Sequence, residues 1–119
     1  MSRVLVAEDE ADIRMLARLL LEFAGHEVLD VGDGDAALAL LAADREVEVV
    51  LLDLRLPGRD GWEVMSQLRA TGRSDGLRLV VFSAQIEPRD YARAQAVGAT
   101  GFLAKPFEEN DLLAAVTGD

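Results

Sequence analysis

Val49-Val50-Leu51-Leu52-Asp53-Leu54-Arg55-Leu56-Pro57 decides how this chain folds. Its four opening aliphatic residues have the length of a strand. A strand that is apolar at every position, and not only at alternate ones, is covered on both faces, as in a parallel sheet with helices on either side. The run ends on a carboxylate. An ionised carboxyl beside buried strand is costly unless a cation or hydrogen-bond donors meet it, so Asp53 stands there for a reason other than packing.

Outward from this segment the same grammar repeats. Short apolar runs at Val4–Ala7, Val28–Val31, Val49–Asp53, Leu79–Phe82 and Gly101–Leu103 read as strands. Between them lie segments of helical period. Ile13, Leu16, Ala17, Leu20, Phe23 and Ala24 mark the first, closed by Gly25. The second starts near Asp35 and runs through Leu41, and the third follows Asp60-Gly61 with Val64, Met65 and Leu68. The fourth lies near Arg89–Val97 before Gly98, and the fifth spans about Glu109–Val116. Strand and helix alternating five times predict an α/β fold, a doubly wound five-stranded parallel sheet built from βα units. No repeat or linker interrupts residues 1–119, and that length suits one domain.

Composition excludes several classes of function. A net charge of −10 argues against nucleic acid as a partner of this domain. The absence of cysteine removes disulfides, thiolate metal sites and cysteine nucleophiles. No apolar run approaches the ~20 residues that span a bilayer, and Val4–Ala7 is too short for the core of a signal peptide, so the expectation is a cytoplasmic protein with no membrane partner.

In an open α/β sheet the ligand crevice lies at the carboxyl ends of the strands. The residues expected there are Glu8-Asp9-Glu10, Asp53, Ser83-Ala84 and Lys105-Pro106. Acids favour loops and helix starts on their own account, lysines at strand ends are commonly solvated, and serines there commonly form turns. Three carboxylates in one crevice, however, repel unless a cation offsets them, and an all-oxygen set favours Mg²⁺ or Mn²⁺ over zinc. A carboxylate nucleophile, a metal, a cation and a hydroxyl together are what phosphoryl transfer to a carboxylate requires. Gly32-Asp33-Gly34-Asp35-Ala36-Ala37 offers a competing G-x-G-x-x-A dinucleotide reading, with Asp53 about 20 residues on as the ribose acid. That reading sets Asp33 and Asp35 against a pyrophosphate and leaves Glu8, Asp9, Ser83 and Lys105 without a role. His26, after Gly25, reads as a surface turn residue.

The pattern of Glu8-Asp9, Asp53-Leu54-Arg55-Leu56-Pro57 to Asp60-Gly61, Ser83-Ala84 and Lys105-Pro106-Phe107 resembles the receiver domain of two-component response regulators, over essentially the whole chain. The resemblance implies a flavodoxin-like strand order 2-1-3-4-5. It implies a phosphoacceptor at Asp53 and Mg²⁺ (or Mn²⁺) held by Glu8, Asp9, Asp53 and the backbone carbonyl of Arg55. Ser83, Ala84 and Lys105 would receive the phosphoryl group at the Lys105-Pro106 junction, and Phe102 would move with the switch. The donor implied is a sensor histidine kinase or histidine phosphotransfer protein. The readout is a face of helix four, strand five and helix five that controls a downstream protein or output domain. Such a domain is a signalling phosphoacceptor rather than an enzyme, although it assists its own phosphorylation and dephosphorylation. Relatives that dimerise through that face carry paired acids where this chain has Thr100 and Gly101, and basic residues on helix five, where Glu109–Val116 has none. A mainly monomeric unphosphorylated state is therefore expected. Trp62, about nine residues beyond Asp53, would be the fluorescent reporter of binding.

Overall fold

The computed structural model describes residues 2–84 and 86–118. Ten elements alternate along them: β1 (Arg3–Ala7), α1 (Ala11–Phe23), β2 (Glu27–Val31), α2 (Gly34–Ala43), β3 (Val49–Leu52), α3 (Gly61–Ala70), β4 (Arg78–Ser83), α4 (Pro88–Ala96), β5 (Gly101–Ala104) and α5 (Glu109–Thr117). The strands form one parallel sheet in the order β2-β1-β3-β4-β5, the expected flavodoxin-like fold.

Side chains on successive strand residues point to opposite faces, and here both faces are covered. Leu5, Ala7, Val50, Leu52, Leu79 and Val81 face a core closed by α2, α3 and α4 through Ala37, Leu41, Val64, Met65, Leu68 and Ala94. Val4, Val6, Val49, Leu51, Val80, Phe82 and Leu103 face the other core, closed by Ala17 and Leu21 of α1 and Leu112 and Val116 of α5. Each fully buried Val or Leu contributes roughly 1.5–3 kcal/mol, so this two-sided burial is what makes β3 hold as a strand of four residues.

Boundaries shift where local chemistry outweighs periodicity. β3 ends at Leu52 and leaves Asp53 just beyond it. α4 begins at Pro88, one residue before the expected Arg89, because proline suits the first helical turn; the side chain of Asp90 accepts the Glu87 amide at 3.1 Å. Asp33 and Asp60 cap α2 and α3, accepting the Ala36 and Glu63 amides at 2.7 and 2.9 Å. The stop after α1 is as expected, with Gly25 at φ +98°. The face of α1 differs from the helical stripe read in the sequence. Ala17 and Leu21 are its buried residues, whereas Met15, Leu16, Leu19 and Phe23 are exposed, Phe23 by 94%. His26 is half-buried, and its Nδ1 accepts the Ser2 amide at 3.0 Å.

Candidate functional site

Register brings the acids together. Ala7 lies opposite Leu52 in the β1–β3 ladder, so the residues that follow, Glu8 and Asp53, leave the sheet side by side. The Asp53 amide donates to the Ala7 carbonyl at 3.0 Å and the Glu8 amide to Val31 at 3.1 Å. On the other flank Ser83 pairs with Ala104, and the Lys105 amide donates to the Ser83 carbonyl at 2.9 Å. Lys105, whose bond to Pro106 is cis, is thereby set across β4 from Asp53. α3 is drawn in as well. Gly61 starts that helix where a Cβ would fall 2.5 Å from the Asp53 carbonyl oxygen, and no larger residue fits so close a backbone approach.

Carboxylate oxygens of Glu8, Asp9 and Asp53 lie within 4.8 Å of one another. Glu8 and Asp53 are buried, while Asp9 is exposed. Lys105 Nζ donates to Asp53 Oδ2 at 3.0 Å and also to Glu8 Oε1. The second oxygens are held by backbone: Glu8 Oε2 accepts the Glu10 amide at 3.0 Å and Asp53 Oδ1 the Arg55 amide at 2.9 Å. Arg14 fixes the Glu8 backbone through its carbonyl at 2.8 Å, a role invisible in the sequence because it depends on how α1 returns past β1.

One ammonium among three carboxylates leaves the pocket negative. Burial, joined by repulsion from Asp53, pushes the Glu8 carboxyl above the ordinary value against the opposing bonds from Lys105 and Glu10. Burial works against the charge on Lys105, but its bonds to Glu8 and Asp53 prevail and hold the ammonium above the ordinary lysine value. The leading causes differ, burial for Glu8 and pairing with carboxylates for Lys105, but in both the negative charge of Asp53 favours the bound proton. The same excess, presented by oxygens alone, suits a hard divalent cation.

The surrounding cavity, about 550 Å³, is bordered by Glu8, Asp9, Glu10, Asp53, Arg55, Ser83, Ala84 and Lys105. Two residues expected to respond to events in the pocket lie outside its lining. Phe102, half-buried on β5, packs on the ring of Tyr91 from α4 with centroids 4.5 Å apart. Trp62 lies on α3 under the Arg93 guanidinium of α4, 3.9 Å from the ring centroid. The dinucleotide reading loses its space: the N–H of Gly34 donates to the Pro57 carbonyl at 3.3 Å, and the Arg59 carbonyl fills the position that a pyrophosphate would need.

Comparison with known proteins agrees with this geometry. The family model described as "Response regulator receiver domain" matches residues 4–117. The chain is 38% identical over 114 residues to the sensory/regulatory protein RpfC of Xanthomonas campestris pv. campestris, covering 93% of this chain and 15% of that protein. It is 39% identical over 112 residues to the response regulator MprA of Mycolicibacterium vanbaalenii, covering 94% of this chain and 47% of MprA. It thus spans about half the length of MprA and a smaller share of RpfC. Among solved structures, the chemotaxis protein CheY4 of Vibrio cholerae superposes with a TM-score of 0.92 at 30% identity, over 99% of this chain and 98% of CheY4. Among the described residues no helix is long and apolar enough to cross a membrane. Strand order, the acidic pocket and a match over nearly the full length lead to one conclusion: this chain belongs to the response regulator receiver domain family.

Proposed function

We propose that residues 1–119 act as one phosphoacceptor domain, with Asp53 taking a phosphoryl group from the phosphohistidine of a sensor kinase or phosphotransfer protein. The observation that carries this reading is the Lys105 ammonium resting on Asp53 Oδ2 and Glu8 in a buried acidic pocket. An Asp53 oxygen attacks phosphorus, the P–N bond breaks, and its electron pair passes to the imidazole, which leaves. The transferred oxygens carry negative charge throughout, and Lys105 is placed to follow them while the Ser83 hydroxyl donates from the end of β4. The donor set fits Mg²⁺ or Mn²⁺, held by Asp9, Asp53 and the Arg55 carbonyl with Glu8 direct or through water. The ion supplies positive charge against the incoming phosphoryl group. Glu8 is buried and tied to the Glu10 amide, which keeps its carboxylate at the pocket wall.

The phosphoryl group adds about −1.5 to −2 charge and three acceptor oxygens. It draws Ser83 and the loop after it toward Asp53, and Phe102 leaves Tyr91 for the space vacated beside β5, altering the α4–β5–α5 face presented to a target or output domain. Unphosphorylated, the chain is mainly a monomer. The positions at issue on that face serve internal contacts: the Thr100 hydroxyl donates to the Leu79 carbonyl at 3.2 Å and accepts the Leu79 amide. Gly101 leaves room for Arg78, whose Nε donates to the Ala115 carbonyl at 2.7 Å. Sedimentation showing a tight dimer through this face would contradict the monomer.

The deciding experiment is incubation with acetyl phosphate and Mg²⁺, read by intact mass and phosphopeptide mapping. One phosphoryl group on Asp53, and none on Asp53→Asn, is the expected result. Label persisting in that variant places the acceptor elsewhere.

A further inference from the structure

A second concave site lies in the groove between α2 and α3 and shares no lining residue with the acidic pocket. Its volume is about 410 Å³, within the ~300–1,000 Å³ range of small-molecule sites. Leu38 and Ala42 of α2 and Leu68 of α3 give it an apolar floor. Grooves between neighbouring helices are common, but the charge of this one is unusual for the chain. Arg45, Arg59 and Arg73 border it against the single acid Asp35, an excess of two positive charges in a protein of net charge −10.

The three arginines are not equivalent. Arg59 is paired with Asp35, Nε to Oδ1 at 2.9 Å. Arg73 donates through Nε to the Leu41 carbonyl at 3.0 Å and through Nη2 to those of Asp44 and Val47 at 3.3 and 3.1 Å, closing the end of α2. Those carbonyls are neutral, and the attraction of Asp44 offsets the charge of Arg73 only in part. The nearby acid, Asp44, is engaged by Arg3 through Nε and Nη2 at 2.8 and 2.6 Å. Arg45 makes no hydrogen bond or ion pair among the described residues. It stands near enough to Arg73 that, after burial, repulsion between the two is what lowers the Arg73 guanidinium from its ordinary value. Two like charges at the mouth of an apolar groove are relieved by an anion. Besides its arginines the lining offers only the Gln67 amide and the Thr71 hydroxyl as side-chain donors, and that hydroxyl is spent on the Gln67 and Leu68 carbonyls. The free fork of Arg45 and the remaining Nη1 of Arg73 suit the two oxygens of one carboxylate better than the several of a bare phosphate, and guanidinium planes stack on rings.

We propose that the α2–α3 groove binds a small aromatic carboxylate, its ring on Leu38, Ala42 and Leu68 and its carboxylate between Arg45 and Arg73. The site is independent of Asp53 and of the phosphoacceptor reading. The test is an NMR titration of the ¹⁵N-labelled chain with 2-naphthoate, with the uncharged 2-naphthamide, and with inorganic phosphate. Naphthoate should shift the amides of Leu38, Ala42, Leu68 and Thr71 and bind about tenfold more tightly than the amide, one charge-assisted contact being worth about that factor. Phosphate should leave those signals in place. Arg45→Ala, at an exposed position that leaves the fold intact, should reduce naphthoate to the affinity of naphthamide. Equal affinity for acid and amide would reduce the site to an apolar groove and overturn the proposal. So would phosphate shifting the same amides, or an Arg45→Ala variant that binds naphthoate undiminished.

Discussion

The carbonyl oxygen of Arg59 stands 1.8 Å from the point that a Cβ on Gly34 would occupy. The loop after β3 is thus seated directly on the first turn of α2, where the Gly34 amide meets the Pro57 carbonyl and Arg59 pairs with Asp35. Gly34→Ala forces backbone apart in a place with no flexible side chain to yield. The expected loss is about 3 kcal/mol, the upper end for overpacking, measured as a lower urea midpoint. A variant within about 1 kcal/mol of the parent would show the loop to be loosely held.

Asp9 is exposed beside two buried carboxylates, Glu8 and Asp53. Removing it relieves repulsion and removes a metal ligand at once. Asp9→Ala should therefore melt at or above the parent without divalent ions. Mg²⁺ at about 100 times its dissociation constant should stabilise the parent by about 2.7 kcal/mol and the variant by far less. Equal Mg²⁺ shifts in the two proteins would move the site away from Asp9.

Ser83 ends β4 at the rim of the acidic cavity, whereas Phe102 lies on β5 against Tyr91. If the hydroxyl transmits the signal, Ser83→Ala should still take a phosphoryl group on Asp53 while the response at Phe102 weakens. NMR shift mapping with and without beryllofluoride, a phosphoryl mimic, measures this. Full-sized shifts around Phe102 in the variant would sink the Ser83 route.

Arg3 and the Glu46 amide bind opposite oxygens of Asp44, and the Arg3 hydrogen bond, against burial, holds the Asp44 carboxyl below the ordinary aspartate range. A carboxyl whose folded value is depressed contributes stability above its unfolded value, about 3.9, and loses it as pH falls through the folded value. The parent should exceed Asp44→Asn in urea midpoint at about pH 6, and the gap should close below about pH 3.9. A gap that widens on acidification would contradict the pairing.

The sequence alone determined the kind of fold and the chemistry available to it. Val49-Val50-Leu51-Leu52 is apolar at every position, and in the structure it is buried on both faces. The acids that follow β1 and β3 were legible for a related reason, since a charge directly after buried strand stands out against its neighbours. Local pattern carries this much because strand and helix periods are set by residues two to four apart.

Tertiary structure decided what depends on distant pairing. Lys105 meets Glu8 and Asp53 because of the β1–β3 and β4–β5 registers, and no local spacing encodes a register. The buried face of α1 kept Ala17 of the stripe read in the sequence but took Leu21 in place of Leu16 and Phe23, because a helix apolar on most sides does not specify which side meets the sheet. Gly34 proved to be a seat for the Arg59 backbone, and Trp62 came under Arg93 of α4. Arg45 and Arg73 reached one groove with Leu38 and Leu68 from separate segments. In each case the contact was fixed by how whole elements dock, where burial of shared apolar surface outweighs what any one segment prefers.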